Sequence, residues 1–105
     1  MRVPMSLQKK TPSLGKTENL KAADIKVPVK FFDPTGAGTW YVIEANWETG
    51  EAFGFVEIHS GCGELGYFDL NELAATTVRW GLGIECDTSW NPQTTLDEVL
   101  KMHGG

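Results

Sequence analysis

The sequence predicts an α+β fold: an antiparallel sheet of about four to five strands with two short helices packed on one side. Two observations predict it. Residues 27–68 alternate short aromatic-rich apolar runs with turns built from Asp, Pro, Thr and Gly, the pattern of hairpin-linked strands. Helix start signals come late, at Asp69 and Thr95, so the strands are not separated by crossover helices.

Residues 1–18 are polar and basic without an apolar period, and Pro4, Pro12 and Gly15 interrupt them, so little regular structure is expected there. Residues 20–25 fit one helical turn, with Asn19 as N-cap. Residues 27–32 read as a strand, and Pro28 places its start or edge. Asp33-Pro34-Thr35-Gly36-Ala37-Gly38 is a turn.

Residues 39–47 form the clearest strand, with Tyr41, Ile43 and Ala45 on one face and Trp40, Val42, Glu44 and Asn46 on the other. Glu48-Thr49-Gly50-Glu51 supplies a hairpin turn with glycine where a positive φ is needed. Residues 52–59 return as a strand, Ser60-Gly61-Cys62-Gly63 turns again, and residues 64–68 make a short strand. Asp69 is placed as an N-cap with Glu72 at the capping-box position, starting a helix that buries Leu70 and Leu73. Residues 82–88 read as the last strand. Thr95 and Glu98 start the final helix, whose Leu96, Val99 and Leu100 form an apolar stripe and which Gly104 ends.

With 105 residues and 41 % hydrophobic composition, the chain suffices for one domain without disulfides or metal. Two cysteines, Cys62 and Cys86, exclude a disulfide scaffold. Neither a secretory leader nor an apolar run of membrane-spanning length is visible, so the cytoplasm is the expected compartment and no membrane partner is expected. The net charge of −5 hides an asymmetry. Residues 1–30 hold seven basic side chains against Glu18 and Asp24, whereas residues 31–105 hold twelve acidic ones against only Arg79 and Lys101. The chain therefore divides into a basic, partly ordered segment, residues 1–26, and a single acidic domain, residues 27–105.

The motifs favour packing over chemistry. Gly36-Ala37-Gly38 precedes a strand, whereas a phosphate-binding loop leads into a helix. His59 and Cys62 have ligand spacing, but Cys86 and His103 lie too far apart along the chain to make a zinc signature. Glu85 and Asp87 share strand parity and are the best metal candidates, although a nuclease also needs cations at the scissile phosphate. The aromatics lie in acidic surroundings, which suits a core better than a platform for single-stranded nucleic acid.

Several ordered motifs carry a family resemblance. They are Val29-Lys30-Phe31-Phe32-Asp33-Pro34, Thr39-Trp40-Tyr41 with Glu44, Gly63-Glu64-Leu65-Gly66-Tyr67-Phe68, and Leu70 with Glu72-Leu73. Gly81-Leu82, Ile84-Glu85, Asp87, Pro92, Thr95-Leu96 and Glu98-Val99 complete the set. Over about residue 12 to residue 100 the chain resembles the domain of unknown function 2958 family, small proteins of bacterial phages, plasmids and integrated elements. The resemblance implies an α+β fold and a mobile-element origin in a bacterial host, and it supplies no catalytic residue. One departure is Cys86, where the family pattern has a basic residue between Glu85 and Asp87. Leu14-Gly15-Lys16-Thr17-Glu18 resembles the family's lead-in, which implies that the basic segment packs on the acidic domain.

Charge and resemblance together lead to an expected function: a cofactor-free, non-catalytic inhibitor of a host CRISPR effector nuclease or other defence protein. The contacts expected on charge are the acids Glu48, Glu51, Glu57, Glu64 and Glu72, placed at the surface, where they match a cationic nucleic-acid channel. The alternatives are a metal-dependent nuclease or phosphoesterase using Glu85 and Asp87, and an accessory nucleic-acid-binding protein using the basic segment. Direct nucleic-acid binding is not expected under the leading reading.

Overall fold

The computed structural model describes residues 1–36, 38–59 and 61–104. Among the described residues, five antiparallel strands form one open sheet: β1 (Val29–Phe32), β2 (Thr39–Ala45), β3 (Glu51–Glu57), β4 (Glu64–Asp69) and β5 (Glu85–Cys86), in the order β4-β3-β2-β1-β5. They are accompanied, among the same residues, by the α-helices α1 (Met5–Lys10), α2 (Leu70–Ala75) and α3 (Leu96–Met102). The predicted class and the strand number agree with this architecture.

The helices do not share one side of the sheet. Leu70 and Leu73 of α2 join Val3, Val29, Phe31, Val42 and Ile84 in one apolar cluster. Leu96 and Val99 of α3 join Val27, Tyr41, Ile43 and Phe55 in another. The physical reason lies in β2: its residues 41–45 are buried in unbroken succession, on both faces of the sheet, so each face needs its own cover.

A β-bulge between Val42 and Glu44 resets the alternation of β2. Glu44 pairs with Phe53 and Ala45 with Ala52. Glu44 thereby joins Tyr41 and Ile43 on the α3 face, and Ala45 joins Trp40 and Val42 on the α2 face, reversing the strict alternation expected from sequence. Gly54 faces Val42 beside the bulge, where an added Cβ would fall 1.7 Å from the Tyr41 carbonyl oxygen. Only glycine lets the two strands approach so closely.

The basic segment is ordered, contrary to the expectation for residues 1–18. Leu7 N and Gln8 N donate to the Pro4 carbonyl to start α1, and Lys9 and Lys10 sit in its last turn, where the helix dipole favours cations. A six-residue helix is not stable alone. It forms because Val3 and Leu7 pack on the α2-face cluster, a tertiary cause that local pattern does not carry. The next expected turn exists as a 3₁₀ turn, Ala22–Asp24, preceded by Lys21 rather than capped by Asn19.

Gly50 adopts φ +88° in the hairpin turn, as its position requires. Asp69 caps α2 by accepting from Asn71 N and Glu72 N. The reciprocal capping box forms at α3, where Thr95 Oγ1 accepts from Glu98 N at 3.2 Å and Glu98 Oε1 accepts from Thr95 N at 3.1 Å. The expected last strand over residues 82–88 shrinks to Glu85–Cys86, which pairs with β1 at the far edge from β4.

Candidate functional site

The acids expected to contact a partner fall into three environments. Glu48 follows β2, Glu51 opens β3, and Glu72 lies in the first turn of α2. Asp69 pairs across the sheet with Glu51, and Asn71 Nδ2 donates to the Thr49 carbonyl, so hairpin and helix start are tied together. Glu48, Glu51, Asp69 and Glu72 are all exposed. Among the described residues the ion pairs are Lys30–Asp87 and Lys101–Asp97, with His103 in contact with Glu57, so none of these four carboxylates has a cationic partner. Glu64 is exposed too, but stands at the opposite end of β4, about 17 Å from Asp69 at the usual strand rise.

Glu57 does not belong to the surface set: it is buried, with 7 % exposure. His103 Nδ1 lies 2.8 Å from Glu57 Oε2, a close contact outside hydrogen-bond geometry. The other ring nitrogen, Nε2, is 2.7 Å from the Tyr41 hydroxyl. Tyr41, Glu57 and the half-buried His103 thus form a chain joining the end of α3 to β2 and β3. Burial first, then the charges of Glu57 and Asp87, push the Tyr41 phenol above its ordinary value of 10.0. It remains a protonated phenol at neutral pH and is not poised as a base. Sequence reading placed Tyr41 in the core and His103 in a scattered metal set. Their separation of 62 positions along the chain leaves no local signal.

The metal candidates stand at the sheet edge, Glu85 in β5 and Asp87 just after it. Glu85 and Asp87 line one cleft of about 460 Å³ together with Arg2, Thr88 and Ser89. Burial raises the Asp87 carboxyl, but hydrogen bonds from Ser89 Oγ and Ser89 N and the Lys30 ammonium outweigh it and hold the group below its ordinary value. Lys30 Nζ is 3.5 Å from Asp87 Oδ2 and 5.2 Å from the centre of the Trp90 ring. One carboxylate of the pair is therefore already engaged. Among the described residues no three His, Cys, Asp or Glu side chains converge on a metal position. His59 and Cys62 are exposed beside Glu64, Cys86 packs against the α2-face cluster, and His103 lies on the other face, so the possible zinc set is dispersed. Burial, reinforced by Asp87, pushes the Cys86 thiol above its ordinary 9.0, which suits a packing role. Of the glycine turn, Asp33 Oδ1 accepts from Thr35 N and Thr35 Oγ1, a local turn-closing pattern; Ala37 lies outside the described residues, as does Ser60 in the turn after β3.

A second concavity lies on the α3 face beside β4, an apolar groove of about 390 Å³. Ile43 and Phe53 line it from the sheet, Leu20 from the basic segment, Leu96 and Leu100 from α3. Glu44, 3 % exposed, borders it with its carboxylate fully engaged. Oε1 accepts from Gly15 N at 2.8 Å; Oε2 accepts from Thr17 N at 2.8 Å and from Thr17 Oγ1. Ala45 N also donates to the Pro12 carbonyl at 3.0 Å. These bonds fasten the basic segment to β2, as the lead-in resemblance implies.

Fold and sites together define a small α+β domain with helices on both faces of an open antiparallel sheet. Residues 6–103 match the family described as protein of unknown function DUF2958, and the chain belongs to that family. No curated protein and no solved structure matches it. Among the described residues no helix is long and apolar enough to cross a membrane.

Proposed function

We propose that the chain is a non-catalytic binding protein of mobile-element origin that inhibits a host defence nuclease, in the first instance a CRISPR effector. The observation that supports this reading is the acidic end of the sheet. Glu48, Glu51, Asp69 and Glu72 are exposed there without cationic partners among the described residues, on a hairpin and helix start held together by hydrogen bonds. Uncompensated carboxylates on a fixed scaffold attract a cationic channel and speed association. Glu64 extends the acidic field along β4, while Glu57 is internal and drops out of the contact set.

The test is recovery of a targeted plasmid in bacteria carrying an active effector, run over several effector types. Recovery with one effector is expected. Glu48→Lys with Glu72→Lys is expected to abolish it and to flatten the salt dependence of complex formation. Absence of recovery with every effector, given soluble expression, sinks the reading.

A metal-dependent phosphoesterase is the second reading, favoured by Glu85 and Asp87 lining one cleft. It requires Mg²⁺- or Mn²⁺-dependent cleavage of DNA or RNA that disappears in Glu85→Gln.

A further inference from the structure

We infer that the outer edge of β4, with the apolar groove beside it, binds an extended segment of a partner protein whose middle alternates apolar side chains and whose ends are cationic. The inference rests on reading the chain as a binding protein and adds the chemistry of what is bound.

The two edges of the sheet differ. β5 offers two residues, whereas β4 offers six, Glu64–Asp69, and its backbone hydrogen bonds among the described residues all run to β3. An edge this long is a template for another strand, and proteins usually blunt it with lysine, proline or a covering element. β4 carries neither lysine nor proline. Its Leu65 and Tyr67 are 49 % and 68 % exposed, and both line the groove. A strand added outside β4 would run alongside these two side chains. Every second side chain would point to the groove face, and the backbone would satisfy the free edge, as in strand-addition recognition.

Charge selects the occupant. β4 begins with Glu64 and ends with Asp69, which is paired with a further acid, Glu51. In a centred antiparallel pairing of two copies, Glu64 of each would face Asp69 of the other, and like charges directly opposite destabilise a sheet. The edge thus disfavours a second copy. A strand with Lys or Arg at both ends turns the same carboxylates into attractive pairs. Away from β4 the groove is lined chiefly by Leu20, Ala22, Ile25, Leu96 and Leu100, so the apolar preference falls on the middle of the bound segment.

A random peptide library panned against the intact protein tests this. Enriched peptides should carry alternating apolar residues between basic ends, and should slow amide exchange over residues 64–69. Tyr67→Glu and Leu65→Glu, both at exposed positions, should each weaken these peptides at least about tenfold. Leu82→Ala, at an exposed position three residues before β5 at the opposite edge of the sheet, should leave their affinity within about twofold. Absence of enriched peptides overturns the inference, as do peptides indifferent to both edge variants. A concentration-dependent dimer that protects residues 64–69 overturns it in favour of a second copy. Peptide capture without plasmid protection sinks the nuclease reading alone, and plasmid protection without peptide capture sinks the edge alone.

Discussion

The two faces of the sheet are closed by different chemistry. On the α2 face, the buried side chains in contact with Phe31 and Val42 are apolar. On the α3 face, Tyr41, Glu44 and Glu57 carry polar atoms into the interior; Tyr41 and Glu44 are hydrogen-bonded there, and Glu57 lies against His103. Apolar burial is non-directional and scales with area, so the α2 face stabilises without prescribing much. Buried polar groups are costly unless matched, so the α3 face prescribes where the basic segment and the end of α3 must lie. The face that specifies is also the face that keeps an open groove.

That contrast can be broken most forcefully on the apolar side. Phe31→Ala removes a fully buried ring and should cost about 3–5 kcal/mol in urea unfolding, with no change in the pH dependence of stability. Next in size is Glu44→Gln, expected to cost about 1.5–3 kcal/mol because bonds to a charged acceptor are lost or weakened. It should speed amide exchange at Gly15 and Thr17 before the rest of the sheet. The pH response of Glu44 has a definite sign. Burial raises its carboxyl, but the bonds from Thr17 Oγ1, Gly15 N and Thr17 N outweigh burial and place it below its ordinary 4.5. Its contribution is complete above pH 4.5 and disappears as pH falls through the lowered value, a loss that acid titration of Glu44→Gln should lack.

Smaller still is Tyr41→Phe, at about 1 kcal/mol for one hydrogen bond. The Tyr41 phenol is raised, so its contribution is complete below pH 10.0 and is lost as pH climbs through the folded-state value. Phenolate absorbance should show a late-ionising tyrosine that Tyr41→Phe removes. At the bottom of the scale, Glu48→Lys with Glu72→Lys should change stability by less than about 0.5 kcal/mol per site, because both side chains are exposed and have no ion-pair partner among the described residues. A large destabilisation there would mean that the acidic end is structural.

Local chemistry made much of this fold legible. Gly50 in its turn, Asp69 and Thr95 as caps, and the Leu96, Val99 and Leu100 stripe depend on neighbours within a few residues, and each lies where sequence places it. The bulge at Val42 and Glu44 was not legible, because periodicity along one strand does not reveal a register change imposed by its partner. α1 was missed because its stability comes from Val3 and Leu7 docking on a distant cluster. Of the acids named on charge, Glu57 proved internal for the same reason: its partner His103 comes from a helix far along the chain. Exposure of Glu48, Glu51, Glu64 and Glu72 followed from their turn, strand-end and helix-start positions.

The Glu44 anchor also dictates an order of assembly. Its carboxylate binds backbone that precedes it by 27 and 29 residues, and it faces that segment only after β2 and β3 have paired out of simple register. Loop closure over such a span is slower than forming the adjacent β2–β3 hairpin. Although made earlier by the ribosome, the basic segment is thus among the last parts to settle. Until then the nascent chain carries a free cationic arm ahead of an acidic sheet.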